Sequence, residues 1–163
     1  ELETTIDFFM NEVAERGGVV TLSTAGSGAA LDQSAALVTY AAAQSGQIPI
    51  GILLNDMVNI DQTRQHINFH KNEMQKGGKV TLLKKGTVVT NRIDPGITPT
   101  KGQIAFVGPS GYITNTNSAP LINRKNFTGG LAIGQFDSLK DEDGYAKISV
   151  NLPQADANTY PNR

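Results

Sequence analysis

At 163 residues the chain has the length of one domain with room for a short arm or tail, and it is long enough to bury a core without staples. Its lack of cysteine excludes disulfide scaffolds, thiolate zinc sites, iron–sulfur clusters and cysteine nucleophiles. A formal net charge of −1 argues against a dedicated nucleic-acid binder, and no stretch approaches the roughly 18 uninterrupted apolar residues of a membrane span.

The first residues, Glu1-Leu2-Glu3, carry two acids where a secretory signal would be basic. From 5 to 16 the apolar residues Ile6, Phe9, Met10 and Val13 fall at i, i+3, i+4 and i+7. That spacing predicts an amphipathic helix, capped by Thr4 or Thr5 and stopped at Gly17. Such a helix is too short to be stable alone in water, so its stripe must dock somewhere. Residues 1–18 therefore read as an N-terminal helical arm, with Gly17-Gly18 as the joint on which it swings.

After Gly18 the period changes to strands and turns. Strands are expected at 19–23 and at 36–43, the latter favoured over helix by Val38-Thr39-Tyr40 despite its alanines. The apolar run 48–54 carries Pro49, which restricts it to an edge or to the beginning of a strand. Residues 79–83 and 87–91 flank Lys84-Lys85-Gly86 and read as a first hairpin, and Asp94-Pro95-Gly96 marks a loop. Residues 103–107 and 112–116 flank Gly108-Pro109-Ser110-Gly111, a second hairpin; 131–136 and 145–152 flank Asp141-Glu142-Asp143-Gly144, a third. Residues 115–130 read as loop, and 153–163 form an extended tail without periodicity. Short strands with Gly-rich turns and no strand–helix alternation point to a mainly β fold over 19–152, an antiparallel barrel or sandwich.

Charge is segregated. Residues 1–18 hold Glu1, Glu3, Asp7, Glu12 and Glu15 against Arg16, while 62–92 hold Arg64, Lys71, Lys76, Lys79, Lys84, Lys85 and Arg92 against Glu73. The two regions are placed to attract each other or another copy, and Lys76, Lys79, Lys84 and Lys85 are the candidate basic contact face.

Searches for chemistry return little. His66, His70 and Glu73 have the spacing H-x3-H-x2-E, which would set three metal ligands on one helical face. The alternation of Ile67 and Phe69 with His66, Asn68 and His70 instead suits a half-buried strand. Gly77-Gly78-Lys79 is followed by Val80 where a phosphate loop needs Ser or Thr, and Gly26-Ser27-Gly28 has Leu31 where a dinucleotide fingerprint needs a small residue. Tyr112 stands where a nucleophile elbow needs its final Gly, and the acidic turn at 141–144 lacks the ligand pattern of a calcium loop. The expectation is a protein without catalytic residues, cofactor or metal.

Several stretches occur together in order. They are Gly51-Ile52-Leu53-Leu54-Asn55-Asp56-Met57-Val58-Asn59-Ile60, Thr63-Arg64-Gln65-His66, and Gly77-Gly78-Lys79-Val80-Thr81-Leu82-Leu83-Lys84-Lys85-Gly86; then come Ile133-Gly134-Gln135-Phe136 and Lys140-Asp141-Glu142-Asp143-Gly144-Tyr145-Ala146-Lys147. This combination, over residues 19–152, resembles the head decoration, or cement, proteins of tailed bacteriophages. The resemblance implies a β-barrel or β-tulip-like body that binds the outside of an assembled shell and stabilises it, with no catalytic residues. It also implies partners: the major capsid protein, and other copies of the chain in a small cyclic oligomer, expected as a trimer. No nucleic acid or membrane partner is expected, and the location is the outer surface of the virion. The stripe Ile6, Phe9, Met10 and Val13 is then the candidate contact to a sister subunit or the capsid. Two other readings stand beside it. One is a carbohydrate- or receptor-binding β module, which no Trp and only four Tyr disfavour; the other is a metal-dependent hydrolase built on His66, His70 and Glu73.

Overall fold

The computed structural model describes residues 1–23, 37–43, 47–54, 59–60, 70–71, 73–74, 76–117 and 130–152. The protein is mainly β. The strands are β1 Glu3–Met10, β2 Ala14–Glu15, β3 Val19–Leu22, β4 Leu37–Tyr40, β5 Pro49–Leu54, β6 Asn59–Ile60, β7 His70–Lys71, β8 Glu73–Met74, β9 Lys79–Thr90, β10 Ile104–Val107, β11 Ile113–Thr114, β12 Ala132–Phe136 and β13 Ala146–Asn151. Among the described residues the only helical piece is a 3-10 turn at Pro109–Gly111.

Nine strands form one sheet in the order β1-β4-β3-β5-β9-β13-β12-β10-β11, and β1 also pairs with β9. The pairings of β1, β4, β3, β5 and β9 therefore close into a circuit. Within it β1 and β4 are parallel and the other neighbours antiparallel. The long β9 is shared: β1 takes one edge, and β5 followed by β13 takes the other.

Two cores follow from this. Met10, Val20, Val38, Leu53, Val80 and Leu82 contribute one or more side chains from every strand of the circuit and pack together with Ala14 and Met74. A larger cluster joins Val19, Ile52 and Leu83 to Ala105, Val107, Ile113, Ile133, Phe136, Ala146, Ile148 and Val150. Successive strand residues face opposite ways. Val19 and Val20, Ile52 and Leu53, Leu82 and Leu83 thus divide between the two cores, all buried. Where β3, β5 and β9 lie side by side both faces are covered, which is why Val19-Val20, Ile52-Leu53 and Leu82-Leu83 are adjacent apolar pairs.

The N-terminal helix is not formed; β1 takes its place. A helical stripe would bury its four apolar residues together, yet Met10 is 0% exposed while Ile6 is 50% and Val13 57% exposed. Thr4, Thr5, Ile6, Phe8 and Phe9 are β-branched or aromatic and suit a pleated strand. The helix-like spacing has a specific source. Thr5 pairs with Leu82 and Phe8 with Val80, so β1 carries one residue more than β9 between these points. That bulge breaks the period of two and makes the apolar positions mimic a period near four.

Nor is Gly17-Gly18 a swinging joint. Gly17 has φ +98, its N–H donates to the Leu53 carbonyl at 2.8 Å, and its carbonyl accepts from Thr90 Oγ1 at 2.9 Å. The Leu53 N–H returns to the Gly18 carbonyl at 2.9 Å, and a Cβ on Gly18 would stand 2.6 Å from Tyr40 Cε1. The pair is a fixed crossing point.

The expected hairpin at Lys84-Lys85-Gly86 is also replaced: β9 runs through it unbroken. Leu83 and Val88 both face the larger core although one is odd-numbered and the other even-numbered, so the alternation slips between them. The slip is a second bulge: Glu3 pairs with Lys85 and Thr4 with Leu83, leaving Lys84 extra, and Gly86 at φ +136 supplies the conformation that L side chains resist. Several strand and turn expectations agree with the structure. β4 is a strand, Pro49 opens β5, and the turns at 108–111 and 141–144 join antiparallel neighbours. Of the loop expected at 115–130, residues 118–129 lie outside the described residues, as does the tail from Pro153.

Candidate functional site

The candidate contact residues of the N-terminus do not share one face. Met10 points into the smaller core; Phe9, paired with Leu37 and Lys79, is half-buried; Ile6 and Val13 are exposed. The four lysines are not gathered into one patch either. Lys76 lies on the turn before β9 and Lys79 at its start, whereas Lys84 and Lys85 sit at the bulge, roughly 17 Å further along at 3.3 Å per residue. Lys85 Nζ meets Glu1 Oε2 at 3.5 Å and Arg92 Nη2 meets Glu15 Oε2 at 3.1 Å. The acidic N-terminus and basic middle therefore meet within the chain, through exposed pairs worth about 0 to 1 kcal/mol each.

A cluster that the sequence does not announce lies where the N-terminal segment crosses the sheet. The Arg92 guanidinium carbon is 5.6 Å from the ring centroids of both Tyr40 and Tyr112, within reach for cation–π attraction. The Tyr40 ring lies against Gly18 and Gly111; a Cβ on Gly111 would approach ring carbons to 2.7 Å. Glu12 Oε1 accepts from Thr39 Oγ1 and from the Tyr40 N–H, both at 2.6 Å, and Asn11 Nδ2 donates to Ser23 Oγ at 2.9 Å. The Tyr40 hydroxyl is buried without a hydrogen-bond partner. Burial pushes its pKa up to about 12, against the lowering influence of Arg92 and of the Gly18 backbone. This cluster immobilises a cation and ties the segment after β1 to β4. Its members come from four separate stretches of chain, and no spacing rule links them.

The outer face of the C-terminal strands is a second feature. Thr87, Ser149, Gln135 and Ile104 are successive cross-strand partners on β9, β13, β12 and β10, and Val89 pairs with Lys147 beside them. Val89 is 61% and Ile104 53% exposed. This face carries the charges of Lys147 and of Asp137, whose carboxylate accepts from Ser149 Oγ, and Val89 and Ile104 are its exposed apolar members.

Of the possible metal ligands, His66 lies outside the described residues. The backbone of His70 and of Glu73 is strand, so no helical three-ligand face forms there, and their side chains lie outside the described set. Compared with known proteins, the chain matches no family model and no curated sequence.

Proposed function

We propose that the protein is a non-enzymatic decoration protein, which binds the outside of an assembled bacteriophage shell as a small cyclic oligomer, a trimer, and stabilises it. In this reading the strand circuit is the barrel of a β-tulip-like body, and the outer face of β9, β13, β12 and β10, with its exposed Val89 and Ile104, seats on the major capsid protein. One observation carries the proposal. The stretches that resemble decoration proteins are dispersed in sequence, yet most of those among the described residues fall on β5, β9, β12 and the turn into β13, with Asn59 and Ile60 on β6. β5, β9, β13 and β12 are consecutive neighbours in the sheet order, whereas β6 pairs with β7 apart from it. Most of the segments that carry the resemblance thus lie side by side in one part of the sheet.

Ring symmetry and a repeating shell make weak individual contacts sufficient, because engagement of one subunit raises the effective concentration of the rest. Co-sedimentation tests the proposal. The purified protein should pellet with assembled shells and stay in the supernatant without them, and Val89→Asp with Ile104→Asp should reduce pelleting by about tenfold or more if two central apolar contacts are lost. Protein that never pellets with shells stripped of their surface proteins would reject the reading.

A further inference from the structure

We propose that residues 1–5 are an exchangeable strand: in an oligomer the first half of β1 leaves its own β9 and completes the same slot on β9 of a second copy. β1 consists of two unlike halves. Phe9 and Met10 pair with β4 at Leu37 and Val38, and Phe8 and Phe9 pair with β9 at Val80 and Lys79. Among the described residues, Glu3, Thr4 and Thr5 pair with β9 alone. Burial follows the same division, since Met10 is sealed in the smaller core while residues 1–4, Ile6 and Asp7 are exposed. Ile6 and Asp7 span the bulge between the halves, so releasing the first half disturbs no pairing of the second.

What stays behind is firmly held. The Met10 N–H donates to the Gly78 carbonyl at 2.9 Å, the Gly77 N–H returns to the Met10 carbonyl at 2.7 Å, and the Asn11 N–H donates to the Val38 carbonyl at 2.9 Å. Movement is therefore confined to the residues before the bulge.

The vacated slot selects its occupant. Without the strand, β9 from Leu82 to Lys85 would present an unpaired edge, a template for another strand. Lys85 faces Glu1 at 3.5 Å, and Leu2 covers Gly86 so closely that a Cβ there would stand 2.9 Å from Leu2 Cδ1. A segment that restores both the ion pair and the fit over the glycine is residues 1–5 of another copy. Exchange remakes every contact it breaks, which is why such swaps are a low-cost route to oligomers. Five extended residues reach only about 17 Å, so exchanging copies must bring their β1–β9 edges together. The exposed Leu2 and Ile6 then lie at that junction. The inference does not rest on the capsid role, because it concerns purified protein with no shell present.

The test uses the absence of native cysteine. Glu3 and Lys85 are direct cross-strand partners, a spacing that a disulfide spans. Full-length Glu3→Cys and a mass-tagged Lys85→Cys are prepared separately, checked for native circular dichroism, mixed and oxidised. Exchange predicts a covalent heterodimer at least about tenfold more abundant than from Glu3→Cys mixed with the collisional control Lys101→Cys, through the effective concentration within an exchanged pair. The double variant Glu3→Cys/Lys85→Cys reports the slot itself. Heterodimer at the control level, with the double variant closing within single chains, overturns the proposal. A double variant that forms no disulfide overturns it too, since the slot would then lack the register on which exchange depends.

Discussion

The N-terminal circuit and the C-terminal hairpins are built from the same kinds of residue, but they are assembled differently. β10 with β11, and β12 with β13, are antiparallel neighbours joined by turns whose hydrogen bonds close locally. In the second, the Asp141 N–H donates to the Tyr145 carbonyl at 2.9 Å and Asp141 Oδ1 accepts from the Tyr145 N–H at 2.7 Å. β1 has no such neighbour, since it pairs with β4 and β9, both remote in sequence. The difference teaches that local pairing leaves a signature in turn chemistry, whereas remote pairing leaves one only in the alternation of side chains, which a single bulge erases.

The largest effect is expected in the hairpin region, at Gly134. A Cβ there would overlap the carbonyl oxygen of Ser149, a backbone atom of the paired strand. Gly134→Val should cost about 4 kcal/mol or more in urea unfolding, above the usual range for overpacking because the clash is with paired backbone and not with a side chain that can turn away. In the circuit the decisive comparison is Met10 with Ile6. A helical stripe would make the two residues equivalent; the bulged strand does not. Met10→Ala should lose about 2 to 5 kcal/mol by opening a cavity in the smaller core, and Ile6→Ala about 0.5 kcal/mol or less. Equal losses at the two positions would restore the helical arm.

Much of the fold is legible in the sequence for the same reason. Val-rich and Ile-rich runs, Pro49 at a strand start, and the Gly-rich turns at 108–111 and 141–144 each act locally, and the structure agrees with all of them. Lys84-Lys85-Gly86 shows the limit. A glycine with positive φ serves a hairpin turn or a bulge equally well, and only the remote partners β1, β5 and β13 decide that β9 continues. The stack of Tyr40, Arg92 and Tyr112 was not legible at all, because cation–π contact imposes no sequence period. Tyr40 even supported the strand reading for reasons unconnected with that contact.

Smaller effects probe how the circuit is fastened. Glu12→Ala removes the acceptor for Thr39 Oγ1 and the Tyr40 N–H, and should cost about 1 to 3 kcal/mol for groups left without partners. Tyr40→Phe removes a buried hydroxyl that has no partner, so it should be neutral or stabilising by about 1 kcal/mol. Its pH signature is sharper. With the folded-state pKa raised to about 12 from 10.0, the folded protein retains a proton that the unfolded chain gives up first. The contribution is therefore complete below pH 10 and lost as pH rises toward 12. The alkaline limb of a stability profile should be shallower in Tyr40→Phe, and identical limbs would place the hydroxyl in water.

The smallest effect expected is at Glu15, and it separates two roles of Arg92. The ion pair between them is exposed on the Glu15 side, so Glu15→Gln should cost only about 0 to 1 kcal/mol and the loss should vanish in high salt. Arg92 itself has a second attachment, since its guanidinium is 5.6 Å from two tyrosine rings. Lysine would keep the charge toward Glu15 but lose the planar group that stacks on an aromatic face. Arg92→Lys should therefore exceed Glu15→Gln, by about 0.5 to 1 kcal/mol in the range for exposed cation–π contacts, and that excess should persist at high salt. If the two variants behaved alike and both effects disappeared with salt, the tyrosines would be bystanders. The crossing of the N-terminal segment would then be held by Glu12 and the glycine contacts alone.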